Sequence, residues 1–234
     1  MIKREFTNKV RFVLDELIPP FIRDSYWFMF PFFYLVYKGK DIKRKMHFKS
    51  LVYGMTDKEY QDFYNEIDTI SSKRNSDLSE SNIRYLLNNI DDSPESIMDV
   101  GCGKGYLLNC IKKISPGSKL FGVDVQNRLR FEHIEFTEGN ITSLPFADNS
   151  FDTVICTHTI EHIVSLQQAV DELVRITRKK LIIVTPCQRY FYYTLDGHIS
   201  FFYKQAELIR YLPFKKYSCI KLEMDWIYVG NKND

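Results

Sequence analysis

From residue 77 onward the chain alternates short apolar runs with amphipathic stretches. Ile83, Leu86, Leu87 and Ile90 recur at helical spacing, which predicts a helix ending before Asp91-Asp92-Ser93-Pro94. Ser96–Val100, Lys119–Val123, Ile134–Thr137, Phe151–Cys156 and Lys180–Thr185 read as strands, with helices over Tyr106–Ile114 and Ser165–Arg178. Strands alternating with helices imply a parallel sheet built from right-handed crossovers. The C-terminus breaks that rhythm. Tyr217–Met224 and Trp226–Val229 predict two strands separated by almost nothing, hence an antiparallel hairpin that an all-parallel dinucleotide-binding sheet lacks. The expected class is α/β: a doubly wound, mostly parallel seven-stranded sheet ending in an antiparallel hairpin.

Residues 1–75 have a different texture and are expected to form a helical, aromatic-rich N-terminal extension, divided from a domain at 76–234 by the polar stretch Ser71–Ser76. Thr56-Asp57-Lys58-Glu59 is a capping box that starts a helix toward Ile70. The apolar run Tyr26–Tyr37 is shorter than the roughly 20 residues of a membrane span, and Pro31 interrupts it. Lys38, Lys40, Lys43, Arg44, Lys45 and Lys49 follow. Aromatics beside cations can seat residues 18–49 on an anionic membrane surface; the competing readings are a lid packed on the domain and a dimer surface.

The net charge of +2 gives no argument for nucleic acid, and none is expected as a partner. The five cysteines show no CxxC pair and are read as reduced. With no unbroken apolar stretch near the N-terminus, the expectation is a cytoplasmic protein that the extension can hold at the inner face of the membrane. Oligomeric state is left open.

Ile97–Gly105 is a strand running into a glycine turn before a helix, where backbone amides can approach a ligand closely. Asp124 ends the next strand, the place from which a carboxylate accepts hydrogen bonds from ribose hydroxyls. Ribose binding alone leaves a nicotinamide cofactor and S-adenosylmethionine both open.

The segment Gly139–Asp152 and the Asp-Val-Gly-Cys-Gly turn at Asp99–Gly103 resemble class I S-adenosylmethionine-dependent methyltransferases, in particular the small-molecule group that includes quinone-biosynthesis enzymes (type 11). The resemblance spans about residues 77–230 and implies a Rossmann-like sheet with S-adenosylmethionine as cofactor. It further implies that Gly101 and Gly103 line the methionine part, with Cys102 between them also a cofactor-binding residue, that Asp99 orients the amino group, that Asp124 binds the ribose, and that Val125 and Ile141 flank the adenine. Asn140 stands where the group commonly has aspartate facing the adenine amino group, and an amide oxygen can accept that bond. Thr157 is expected beside the methionine moiety. The acceptor is expected to be a small or lipid-linked molecule, such as a sugar or quinone-like hydroxyl. A nicotinamide-dependent oxidoreductase would carry GxGxxG rather than the GxGxG of Gly101, Gly103 and Gly105, and a non-catalytic binding module would not need the intact glycines and Asp124.

For a hydroxyl acceptor a base is useful, and His158, Glu161 and His162 cluster after the fourth strand. Glu161 and His162 are candidate metal ligands, but metal-using relatives add a second acidic residue that this segment lacks, so no metal is assigned. His198-Ile199-Ser200-Phe201-Phe202 resembles a segment that can face the acceptor, with Phe201 and Phe202 read as core; Tyr190, Tyr192 and Tyr193 are expected on the acceptor side.

Overall fold

The computed structural model describes residues 10, 12–67, 74–91 and 93–232. Seven strands form one sheet: β1 Ser96–Val100, β2 Lys119–Asp124, β3 Glu135–Glu138, β4 Phe151–Thr157, β5 Thr177–Pro186, β6 Lys216–Leu222 and β7 Asp225–Asn231. Their order is β3-β2-β1-β4-β5-β7-β6. The first five run parallel, and β7 inserts antiparallel between β5 and β6. The near-continuous burial of β4 and β5 reflects a sheet covered on both faces.

Helices are numbered α1 Pro20–Arg23, α2 Tyr26–Tyr37, α3 Ile42–Met46, α4 Phe48–Leu51, α5 Asp57–Ile67, α6 Glu80–Asn88, α7 Tyr106–Ile114, α8 Leu166–Ile176 and α9 Gln205–Ile209. In α8, Leu166, Ala169, Val170, Leu173 and Ile176 form one buried stripe. Together with the inner residues of β4 and β5 they make one core, and Leu107, Leu108 and Ile111 of α7 pack into another. Helix α8 stops two residues before the expected Arg178, because Thr177 turns extended and caps the Leu173 carbonyl while Arg178 and Lys179 pair with buried Asp152.

The extension has its own core, in which Met29, Phe33, Phe48 and Phe63 pack with Phe191 and Tyr193 from the loop after β5. Pro31 does not interrupt the aromatic run: α2 continues through it, with Met29, Phe33 and Tyr37 buried on one face, so packing outweighs the lost backbone bond. The Thr56–Glu59 capping box forms, with Thr56 N donating to Glu59 Oε2 at 2.8 Å. Helix α5 is described to Ile67; the expected continuation to Ile70 and the linker residues 71–73 lie outside the described residues.

Long-range hydrogen bonds fasten the extension to the β5–α9 loop. Arg23 Nη2 donates to the Tyr190 carbonyl at 2.7 Å, Tyr37 Oη to that of Leu195 at 2.9 Å, and Tyr192 N donates to Asp24 Oδ1 at 2.7 Å. Lys45 and Lys49 are not surface cations of a basic patch. Both are buried: Lys45 donates to the Lys40 carbonyl, and the Lys49 ammonium sits 4.0 Å from the Phe201 ring centroid while donating to the Phe191 carbonyl. Burial lowers Lys49 to a pKa of about 7.

Candidate active site

A cavity of about 550 Å³ opens at the C-terminal ends of β1, β2 and β4, a volume suited to a cofactor-sized ligand. All nine expected cofactor residues border it: Asp99, Gly101, Cys102, Gly103, Asp124, Val125, Asn140, Ile141 and Thr157. His158 and His162 border it too, whereas Glu161 lies behind the wall.

The glycine turn is built by its backbone. Gly101 has φ +78°, and a Cβ there would meet Thr159 Oγ1 at 2.2 Å, so both conformation and space require glycine. Gly103 has φ +51°, its N donates to Asp124 Oδ2 at 2.9 Å, and a Cβ there would meet nothing within 4 Å. That open side faces the cavity.

Asp99 is 2% exposed, and its Oδ1 has no hydrogen-bond partner. Burial, reinforced by neighbouring Asp124, pushes its carboxyl up to about 7. Burial also raises Asp124, against the amides of Gly103 and Gln126, which favour its anion. Two carboxylates beside the turn want a cation and hydroxyl donors. A methionine ammonium, a sulfonium and ribose hydroxyls supply both, so the residues fit S-adenosylmethionine.

Two cations at the cavity were missed by sequence reasoning. Arg74 and Lys104 border it, with Lys104 Nζ donating to the Arg74 carbonyl at 2.5 Å. Arg74 falls within a stretch read only as a linker, and folding brings it to the cavity beside Lys104. The amide oxygen of Asn140 accepts from both N and Oγ1 of Thr142 at 3.0 Å, so the oxygen expected to meet an adenine amino group already closes a local turn.

The opposite wall comes from the extension and the loop after β4. Tyr60, Gln61 and Tyr64 of α5 border the cavity. Tyr60 Oη donates to the His162 carbonyl at 2.5 Å, and the Tyr64 ring packs edge-on against that of His162 with centroids 5.0 Å apart. Burial and the Glu161 charge raise the Tyr60 hydroxyl, keeping it a donor. The His158 side chain is 10% exposed and lies between carboxylates, with Nδ1 3.4 Å from Glu161 Oε1 and Nε2 3.4 Å from Asp225 Oδ2. Asn82 Nδ2 holds the same Asp225 oxygen at 2.6 Å. His162 Nδ1 lies 3.3 Å from the Gly197 carbonyl.

The expected acceptor-side tyrosines do not reach this cavity. Tyr190 is largely exposed, while Tyr192 and Tyr193 pack against the extension. His198 is buried behind His162, their ring centroids 4.9 Å apart, and Phe202 is core as expected.

The sequence profile of a methyltransferase domain family matches residues 98–184. A probable S-adenosylmethionine-dependent methyltransferase of Mycolicibacterium smegmatis is 30% identical over 88 residues, covering 35% of this chain and 34% of its own. A demethylmenaquinone methyltransferase of Chlorobaculum parvum is 34% identical over 88 residues, covering 35% and 36%. The chain thus spans about a third of the length of these two relatives. Among solved structures, PigF with SAH superposes with a TM-score of 0.60 at 17% identity, covering 87% of this chain and 72% of its own, which shows the shared fold. With the shared fold, the matched methyltransferase domain over residues 98–184 and a cradle fitted to S-adenosylmethionine, this chain is similar to S-adenosylmethionine-dependent methyltransferases.

Proposed function

We propose that the protein methylates an oxygen of a small or lipid-linked acceptor held between the cofactor cradle and the wall formed by Tyr60, Tyr64 and His162. The observation that carries this reading is the single cavity running from Asp99 and Asp124 to that aromatic wall. S-adenosylmethionine supplies a methyl group on a sulfonium, which an in-line displacement transfers. The work of the chain is then alignment and exclusion of water. Asp99 orients the amino group, Asp124 the ribose, and Arg74 with Lys104 faces the carboxylate. Thr157 and the Gly101–Gly103 backbone shape the methionine channel.

Of the expected catalytic residues His158, Glu161 and His162, this reading puts His162 at the acceptor and gives His158 and Glu161 a positioning role. The two ring nitrogens of His158 face carboxylates, which suits it to holding the loop rather than to taking a proton. A lone pair on His162 either takes the proton of the acceptor or holds a cation that acidifies it, and the neighbours of His162 decide between the two.

We place the catalytic domain at residues 76–234 and read residues 1–75 as a cap that also meets a membrane surface. Trp27, Phe21 and Leu35 are 80%, 79% and 75% exposed, and Trp27 and Leu35 lie two turns apart on the face of α2 opposite its buried stripe. Lys38, Lys40 and Lys43 are exposed nearby. Among the described residues no helix is long and apolar enough to cross a membrane, so an interfacial position suits the stripe. A quinone-like acceptor, as in the name of the C. parvum relative, would be reached there. The test is incubation with methyl-labelled cofactor and separated lipid and aqueous cell fractions. Label in a lipid-fraction product supports the reading, and label only in protein or nucleic acid contradicts it.

A further inference from the structure

Behind the cavity wall, Glu161, His162 and His198 bring three ligand-type atoms within 4.8 Å of one another. Glu161 is 1% exposed, and neither carboxylate oxygen takes part in a hydrogen bond. His158 Nδ1 lies 3.4 Å from Oε1, on one side of the carboxylate, while the Nε2 of the same ring lies 3.4 Å from Asp225 Oδ2. A carboxylate so deeply desolvated needs a positive partner close by.

The two other members are set as metal-binding imidazoles are. His198 Nδ1 lies 2.7 Å from Gln188 Oε1 and 3.3 Å from Asp196 Oδ2, and His162 Nδ1 lies 3.3 Å from the Gly197 carbonyl. Oxygen acceptors at both Nδ1 atoms select the Nδ1–H tautomer and put the lone pair on Nε2. Metal-ligating histidines are oriented by this same outer arrangement. The two segments are pinned together at the backbone, because the Glu161 carbonyl accepts from Ile199 N at 2.8 Å and Ser200 N at 2.9 Å. His198 therefore joins Glu161 and His162 from 36 residues beyond His162, which sequence spacing alone does not reveal.

We propose that Glu161, His162 and His198 bind one divalent first-row transition-metal cation, with its open side toward the cavity. Two imidazoles and one carboxylate suit a cation such as zinc, cobalt or iron better than magnesium or calcium. Ligands around a tetrahedral zinc lie about 3.4 Å apart, given bonds near 2.0–2.1 Å, so rotation of the side chains by about an ångström closes the set. Resting on the methyltransferase reading, the cation would take the acceptor oxygen beside His162 and lower the pKa of its hydroxyl, so that the proton passes to solvent water and the oxygen anion attacks the methyl carbon as its bond to the sulfonium sulfur breaks.

The experiment titrates the chelator-stripped full chain with Co²⁺ alone, following absorption and heat. One equivalent should bind, with weak visible bands of nitrogen and oxygen ligation and no thiolate charge-transfer band from the five cysteines. Glu161→Gln and His198→Gln should each weaken binding at least about tenfold, and Gln188→Ala about 10- to 100-fold through the orientation of His198. Circular dichroism selects the variants that fold, and His198→Gln decides if Glu161→Gln does not. Absence of saturable binding, a thiolate band, or wild-type affinity in the folded variants would overturn the site. Because no methyl transfer is read, failure here leaves the proposed activity standing, and an inactive protein that binds cobalt as described leaves the site standing.

Discussion

At the cofactor end of the cavity, the key groups belong to turns that directly follow the strands positioning them: Gly101 and Gly103 after β1, with Asp124 closing β2 and holding the Gly103 amide at 2.9 Å. At the opposite end, Tyr60 and the His162 carbonyl it holds are 102 residues apart, and Arg23 reaches Tyr190 across 167. The first arrangement is dictated within a strand and its turn, and forms wherever the sheet forms. The second exists only when the extension has docked. A cofactor site can thus sit in local geometry while acceptor choice is left to long-range packing, where loops and added helices can differ without disturbing the sheet.

The largest effect should come from breaking the local half. Gly101→Ala combines a left-handed backbone with a Cβ 2.2 Å from Thr159 Oγ1, and should cost about 2–4 kcal/mol of stability and abolish measurable cofactor binding. Thermal unfolding and calorimetry check both. Near-wild-type behaviour would mean that the turn relaxes freely.

Breaking the long-range half should separate the two. Phe63 is fully buried, with its ring stacked 5.2 Å from Phe48, and Phe63→Ala should cost the extension about 3–5 kcal/mol. Limited proteolysis should then cut the extension first, leaving a resistant fragment that begins near residue 76. Uniform degradation would show that cap and sheet unfold as one.

The contrast between the halves also explains what was legible in the chain. Strand and helix periods and the hairpin were readable because side-chain alternation and turn residues are local. The glycine turn and Asp124 were readable for the same reason. Arg74 and the approach of His198 to Glu161 were not, since each depends on where distant segments meet. Tyr190, Tyr192 and Tyr193 looked like acceptor contacts because they follow β5, but the aromatic core of the extension claims that loop. Lys45 and Lys49 looked like membrane cations for want of any local sign that aromatic rings would bury them.

The smallest expected effect concerns the outer face of the extension. Trp27→Ser with Leu35→Ser should reduce co-sedimentation with anionic vesicles several-fold and leave cofactor affinity unchanged, because neither residue borders the cavity. If wild-type protein stays in the supernatant at low salt, the stripe serves another contact.

The account rests most directly on Asp99, whose carboxyl is pushed up to about 7 by burial and by Asp124. Its folded value lies above the unfolded one, so ionising it costs stability as pH rises toward 7, and a bound cation offsets that cost. Cofactor binding should therefore tighten from pH 6 to pH 8 and release a proton near pH 6.5, read by calorimetry in buffers of different ionisation heat. Asp99→Asn should bind about 10- to 100-fold more weakly at pH 8, as for a lost charge-assisted bond, and show neither the pH dependence nor the proton release. Equal affinity and an identical pH profile in the folded variant would contradict the cofactor cradle as described.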